Sequence, residues 1–210
     1  MKELVEKLVQ DGYLKTPWII EAFLKVDRKD FVPDEMKALA YEDIALPTML
    51  GQTISQPATV AYILELLQPE AGDKVMDVGA GSCWQTALLA YIVGRDPSAG
   101  SGREGRVYAI ERLCPLLEWG KKNFEKYGFK NAEFFCQDGT KGLPEHTPFD
   151  KIIAAAAGHA MIQNWQDQLT VGGRIVMPIE HSIWLYIKKS ATVFEKHEHY
   201  GFAFVPLVED

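Results

Sequence analysis

The 210-residue sequence lacks any apolar run that approaches the ~18 residues of a membrane span; stretches such as 152–157 are far too short. It lacks an excess of positive charge as well. Lys+Arg is 22 against 29 Asp+Glu, a net charge of −7, so there is no basic footprint for a phosphate backbone and no nucleic-acid partner is expected. Cysteine is scarce: Cys83, Cys114 and Cys136 are odd in number and show no CxxC spacing. That usage predicts a reduced, cytoplasmic protein. The opening MKELVEKLVQ mixes charges through its apolar positions, so no signal peptide is expected. The short HxH of His197 and His199 has no further ligand cluster beside it, so no metal site is expected.

What is present is the usual mix of a globular domain, 47% hydrophobic and 24% charged, in a chain long enough for one sizeable core. Residues 1–72 read as helical and irregular. Thr16-Pro17 predicts a helix start, cap residue then proline, with Ile19, Ile20, Phe23 and Val26 following at helical spacing. A second apolar helix follows Pro57. From residue 73 the pattern alternates strand and helix. Strands are predicted at 74–78, 106–110, 132–136, 151–155 and 174–179, with weaker ones at 183–187 and 202–207. Residues 95–105 predict a polar, Gly-rich loop at the amino ends of the strands. Such alternation implies an α/β fold, a doubly wound and mostly parallel sheet covered on both faces. No linker separates residues 1–72, so one domain over 1–210 is expected, with 1–72 as an N-terminal helical extension on an α/β core of 73–210.

In such sheets the ligand lies at the carboxyl ends of the strands. Three predicted strands deliver suggestive residues there: Asp77-Val78-Gly79-Ala80-Gly81, Ile110-Glu111, and Gln137-Asp138-Gly139. Each has an ordinary reading alone, as a tight turn, a solvated carboxylate or a turn dipeptide. Together they suit an adenosine-bearing cofactor. Glycines let it approach the backbone, a carboxylate ending the second strand accepts from ribose hydroxyls, and an Asp after the third accepts from an adenine amine. A dinucleotide fingerprint needs glycine at the sixth position of its motif, which here is Trp84, so NAD is disfavoured. S-adenosyl-L-methionine has no phosphate and needs no such glycine.

Upstream lies Gly51-Gln52-Thr53-Ile54-Ser55-Gln56-Pro57, with Phe31-Val32-Pro33 and 40–43 (AYED) before it. With 107–112 (VYAIER), Asp138-Gly139, 148–150 (PFD), 154–157, 167–169, 172–174 and 204–207, this ensemble resembles the protein-L-isoaspartate O-methyltransferase family over nearly the whole chain. The resemblance implies a Rossmann-like fold of the S-adenosylmethionine-dependent type. It implies methylation of the α-carboxyl of L-isoaspartyl residues in damaged proteins or peptides, with repair by way of a succinimide. Ser55 matches the active-site serine. Gln52, Thr53, Ile54, Val205 and Pro206 match substrate-side positions. Asp77, Gly79, Gly81, Ser82, Glu111, Asp138 and Gly139 match the cofactor site. A cytoplasmic monomer with no membrane partner is expected. Two departures stand out: Cys83, where the family usually has a glycine and a side chain this small is expected to be tolerated in the cofactor turn, and Glu180, also in place of glycine. Read alone, Ser55 is a cap for the helix at Pro57; the flanking match makes it a site residue. A related carboxyl or small-molecule methyltransferase, or a non-catalytic cofactor-binding module, remain alternatives at this stage.

Overall fold

The computed structural model describes residues 1–96 and 103–208. The loop expected at 95–105 therefore falls largely outside the described residues. Helices α1 (Lys2–Gln10) and α2 (Pro17–Lys25) come first, followed by a two-strand hairpin of β1 (Leu46–Pro47) and β2 (Thr53–Ile54), then α3 (Pro57–Leu67). α2 forms where expected. Pro17 supplies a fixed φ at the first turn, and Ile19, Ala22 and Phe23 bury one stripe. The Thr16 hydroxyl departs from its expected capping role. It donates to Glu65 of α3 at 2.7 Å, tying α2 to α3, while the Ile19 and Ile20 N–H groups go to the Thr16 carbonyl.

The α/β part follows as β3 (Lys74–Val78), α4 (Trp84–Val93), β4 (Arg106–Glu111), α5 (Cys114–Glu125), β5 (Ala132–Cys136), β6 (Phe149–Ala154), α6 (Gln163–Gln168), β7 (Leu169–Ile179), β8 (Ser182–Lys188) and β9 (Phe194–Tyr200). The sheet order is β5-β4-β3-β6-β7-β8-β9. The first five strands are parallel, and β8 and β9 return antiparallel. β3 and β4 are buried along almost their whole length, which is why they read as apolar runs. The chain leaves β5 at one edge and resumes at β6, beside β3. The winding therefore reverses between β3 and β6, and a crevice opens at their carboxyl ends.

One face of the sheet shares an apolar core with residues of all five helices α1–α5, from Leu4 and Leu8 to Leu117 and Phe124. The other face is covered more thinly, by Trp165 of α6 with Leu143 and Phe149. Two expectations fail here. Residues 202–207 form no strand, only an isolated bridge of Pro206 to Ala157, and the last strand is β9 instead. The cysteines are not all reduced: Cys114 and Cys136 form a disulfide with a Cα–Cα distance of 5.3 Å. Spacing along the chain hides this pair. Register explains it, because Cys136 sits opposite Glu111 across β4–β5 and α5 starts just after Glu111.

Candidate active site

The crevice is a cleft of about 980 Å³, within the range of small-molecule sites. Its floor is the turn after β3. There Gly79 and Gly81 have φ of 81° and 53°, a backbone that glycine adopts without strain. The Gly79 and Ala80 N–H groups donate to the Ile110 carbonyl at 2.8 and 3.0 Å, locking the turn against the end of β4. Ser82 is buried at the same turn and also lines the cleft.

Glu111 ends β4 at the lip of the cleft. Its Oε2 accepts from the Gly81 N–H at 3.1 Å and its Oε1 from the Leu113 N–H at 3.0 Å. These bonds hold the carboxylate in place, and each oxygen keeps acceptor capacity for a ligand hydroxyl. Gly139 lines the cleft as well, and only glycine fits there, since a Cβ would lie 2.4 Å from Val78 Cγ1.

Asp77 and Asp138, expected in contact with the cofactor, are buried at the turns beside the cleft and are not among the residues that line it. Asp77 is fully buried; its oxygens accept from Gln85 Nε2 at 2.7 Å and Thr86 Oγ1 at 2.6 Å. Burial pushes its carboxyl up to about 6, against the pull of those two bonds. Asp138 is 5% exposed and accepts from the Thr140 N–H and hydroxyl, both at 2.8 Å. Both residues brace the turns that carry the wall. Cys83 does not line the cleft. It takes a left-handed φ of 64°, the reason glycine suits that position, and its buried thiol packs toward α5, where Gly120 makes room.

The opposite wall is Gly51 to Gln56, so Gln52, Thr53, Ile54 and Ser55 all face the cleft. The β1–β2 hairpin positions them, with Thr53 and Ile54 paired to Pro47 and Leu46. Ser55 is half-buried, and among the described residues its hydroxyl has no hydrogen-bond partner. It does not cap α3. That duty falls to Asp43, whose Oδ1 accepts from the Ala58 N–H at 2.8 Å. The end of β9 and the chain after it bring Tyr200, Phe202, Phe204, Val205 and Pro206 into the lining. Trp84, Gln85 and the 200–204 stretch were not anticipated from the sequence. Trp84 was legible only as the residue that breaks the dinucleotide motif.

An adenosine-bearing group fits this wall: glycine backbone, one braced carboxylate, and the apolar Ile110, Leu113 and Leu116 beside it. No cluster of three or more metal-ligating side chains occurs among the described residues, and His197 bonds Glu195 on β9 while His199 bonds Tyr62.

Fold and site define the class: a Rossmann-like methyltransferase dependent on S-adenosyl-L-methionine. Solved structures agree. A protein-L-isoaspartate O-methyltransferase superposes with a TM-score of 0.87 at 26% identity, covering 99% of this chain and 66% of that one. The Plasmodium falciparum beta-aspartate methyltransferase in complex with S-adenosyl-L-homocysteine shares the fold, with a TM-score of 0.86 at 22% identity over 100% and 98% of the two chains. The family model described as protein-L-isoaspartate(D-aspartate) O-methyltransferase matches residues 1–210. Similar proteins of that name include those of Ignicoccus hospitalis, 38% identical over 100% of this chain and 97% of the relative, and Pyrococcus abyssi, 38% identical over 99% and 94%. The chain belongs to the protein-L-isoaspartate O-methyltransferase family.

Proposed function

We propose that the cleft methylates the α-carboxyl of L-isoaspartyl residues in damaged proteins and peptides, with Ser55 orienting the acceptor. The observation that carries this reading is Ser55: it lines the cleft opposite the cofactor turn, and among the described residues its hydroxyl has no hydrogen-bond partner. S-adenosyl-L-methionine supplies an electrophilic methyl group when bound. Glu111, Gly79, Gly81, Ser82 and Gly139 hold its nucleoside and methionine ends, with Asp77 and Asp138 bracing the turns behind them.

The acceptor is already ionised at neutral pH, because an ordinary carboxyl has a pKa near 4. No strong general base is needed. The residues have to align oxygen with the methyl group and strip water from the carboxylate. Ser55 donates one hydrogen bond to that carboxylate. Gln52, Thr53 and Ile54 on one side and Val205 and Pro206 on the other hold the flanking peptide. In the ester product the adjacent backbone amide nitrogen then attacks the ester carbonyl, methanol leaves with the amide proton, and a succinimide forms without further help from the protein.

We also propose that the chain acts as one domain and as a monomer in the cytoplasm, with no nucleic-acid or membrane partner. The net charge of −7 supports the exclusion of nucleic acid. No helix among the described residues is long and apolar enough to cross a membrane.

The test is methyl transfer from labelled S-adenosyl-L-methionine to an isoaspartyl peptide beside its normal aspartyl twin. Methylation of the first alone is expected. Equal methylation of both, or transfer only to small carboxylic acids, overturns the substrate assignment.

A further inference from the structure

Arg28 is 0% exposed, yet among the described residues no carboxylate forms an ion pair with its guanidinium. The charge is solvated by backbone instead. Nη1 donates to the Ala40 carbonyl at 2.8 Å and, more weakly, to Glu42 at 3.4 Å; Nη2 donates to Ile44 at 2.9 Å and to Ser55 at 3.1 Å. Nε has no partner. The guanidinium carbon also lies 5.4 Å from the ring centroid of Trp84, which lines the cleft beyond the glycine turn. Burial lowers the pKa to about 10, partly offset by Asp43, so the group stays cationic at neutral pH.

A buried cation is costly unless its donors are satisfied. Here it is kept where it ties three pieces of chain together: the 40–44 segment, the carbonyl of Ser55, and the aromatic ring after the cofactor turn. The same 40–44 segment supplies Asp43, which accepts from Gln56 Nε2 at 3.1 Å and from the Ala58 N–H at 2.8 Å. Ser55 is therefore held at its own carbonyl by Arg28 and at the following residues by Asp43. Its hydroxyl is left free, while its backbone is fixed from both sides.

We propose that Arg28 is a positioning residue for the methyl acceptor: its fork fixes the Ser55 backbone, so that the hydroxyl meets the acceptor carboxylate in the cleft. The proposal rests on the reading of Ser55 given above. The planar fork is what matters. A lysine at 28 keeps the charge but cannot reach the Ala40, Ile44 and Ser55 carbonyls together from one fixed plane. Placement errors of about 1 Å at a reacting group cost on the order of 10²-fold in rate.

The test compares Arg28→Lys, Ser55→Ala and the double variant in the full chain. The measurements are kcat and KM for an isoaspartyl peptide, Kd for S-adenosyl-L-homocysteine, and thermal unfolding. Arg28→Lys is expected to lower kcat/KM for the peptide by about 10- to 100-fold with no more than about a twofold change in cofactor-product affinity. The double variant is expected to match Ser55→Ala within about threefold, because Arg28 acts through Ser55. Losses that multiply in the double variant overturn the proposal, as does wild-type kcat/KM in folded Arg28→Lys. A parallel loss of cofactor-product affinity and of melting temperature would show a merely structural role and also overturns it. Full activity in Ser55→Ala would sink the underlying reading of Ser55 and is distinguishable from these outcomes. If Arg28→Lys does not fold, Asp43→Asn probes the same clamp from its other arm. It should then lower peptide kcat/KM and leave cofactor-product affinity unchanged; unchanged kcat/KM there overturns the proposal.

Discussion

Asp43 caps a helix it does not belong to: its Oδ1 accepts from the Ala58 N–H of α3 at 2.8 Å, from fifteen residues upstream. The carboxylate satisfies one of the orphan donors at the start of α3 and suits the positive end of its dipole. Asp43→Ala should cost about 1 kcal/mol of stability, in the range of a lost cap. Urea unfolding checks this, and an unchanged midpoint would show that water replaces the carboxylate at no cost.

Gly120 of α5 lies against the cofactor turn. A Cβ there would sit 2.4 Å from the Gly81 carbonyl oxygen, 2.7 Å from Cys83 Sγ and 2.9 Å from the Ser82 carbonyl carbon. Two of those atoms are backbone and cannot swing aside. Gly120→Ala should destabilise the fold by about 1–3 kcal/mol, as overpacking does. It should also weaken cofactor binding, because Gly81 and Ser82 are pushed toward the cleft. Adding Cys83→Gly should restore only part of the loss. Calorimetric titration with S-adenosyl-L-homocysteine, alongside thermal unfolding, reads both effects; wild-type behaviour of Gly120→Ala would mean α5 shifts freely.

Asp77 should leave a signature in the pH dependence of stability. Burial raises its carboxyl from 3.8 to about 6. The folded state therefore binds the proton more tightly than the unfolded chain. The stabilisation is complete below the ordinary carboxyl range and is lost as pH rises through about 6. At about 1.4 kcal/mol per unit, the shift corresponds to about 3 kcal/mol. Asp77→Asn cannot titrate, and other groups such as Asp73 cancel in the comparison. Between pH 4 and pH 7 the stability of wild type relative to Asp77→Asn should fall by roughly 2 kcal/mol, most of that full amount. Parallel pH profiles would contradict a raised pKa at Asp77.

The parallel strands and the site rim were legible because their chemistry is local. β3, β4 and β5 are short runs whose ends carry Gly79, Glu111 and Asp138, and the Gly51–Pro57 segment has its own signature. What escaped was set by tertiary convergence. Arg28 sits among Asp27, Lys29 and Asp30 and reads as part of a solvated charged stretch, but its four acceptor carbonyls come from 40–44 and 55. β9 is an edge strand of sequence FEKHEHY, charged on its outer side as edges are, so it carries no apolar alternation. The carboxyl ends of the parallel strands fall within a residue of where they were expected. The side-chain partners there were not legible: Asp77 accepts from Gln85 and Thr86, and Asp138 from Thr140. The Cys114–Cys136 bond follows from register across β4 and β5, which spacing alone does not reveal.

The most direct measurement is Ser55→Ala, with isoaspartyl-peptide methylation, S-adenosyl-L-homocysteine affinity and melting temperature read on one preparation. Among the described residues the hydroxyl has no partner, and α3 is capped by Asp43, so stability should be nearly unchanged. Turnover should fall by about 10²–10³, the loss from removing one preorganised donor, while affinity for the cofactor product stays within about twofold. Near-normal turnover, or a fall in turnover that merely tracks unfolding, would contradict the account.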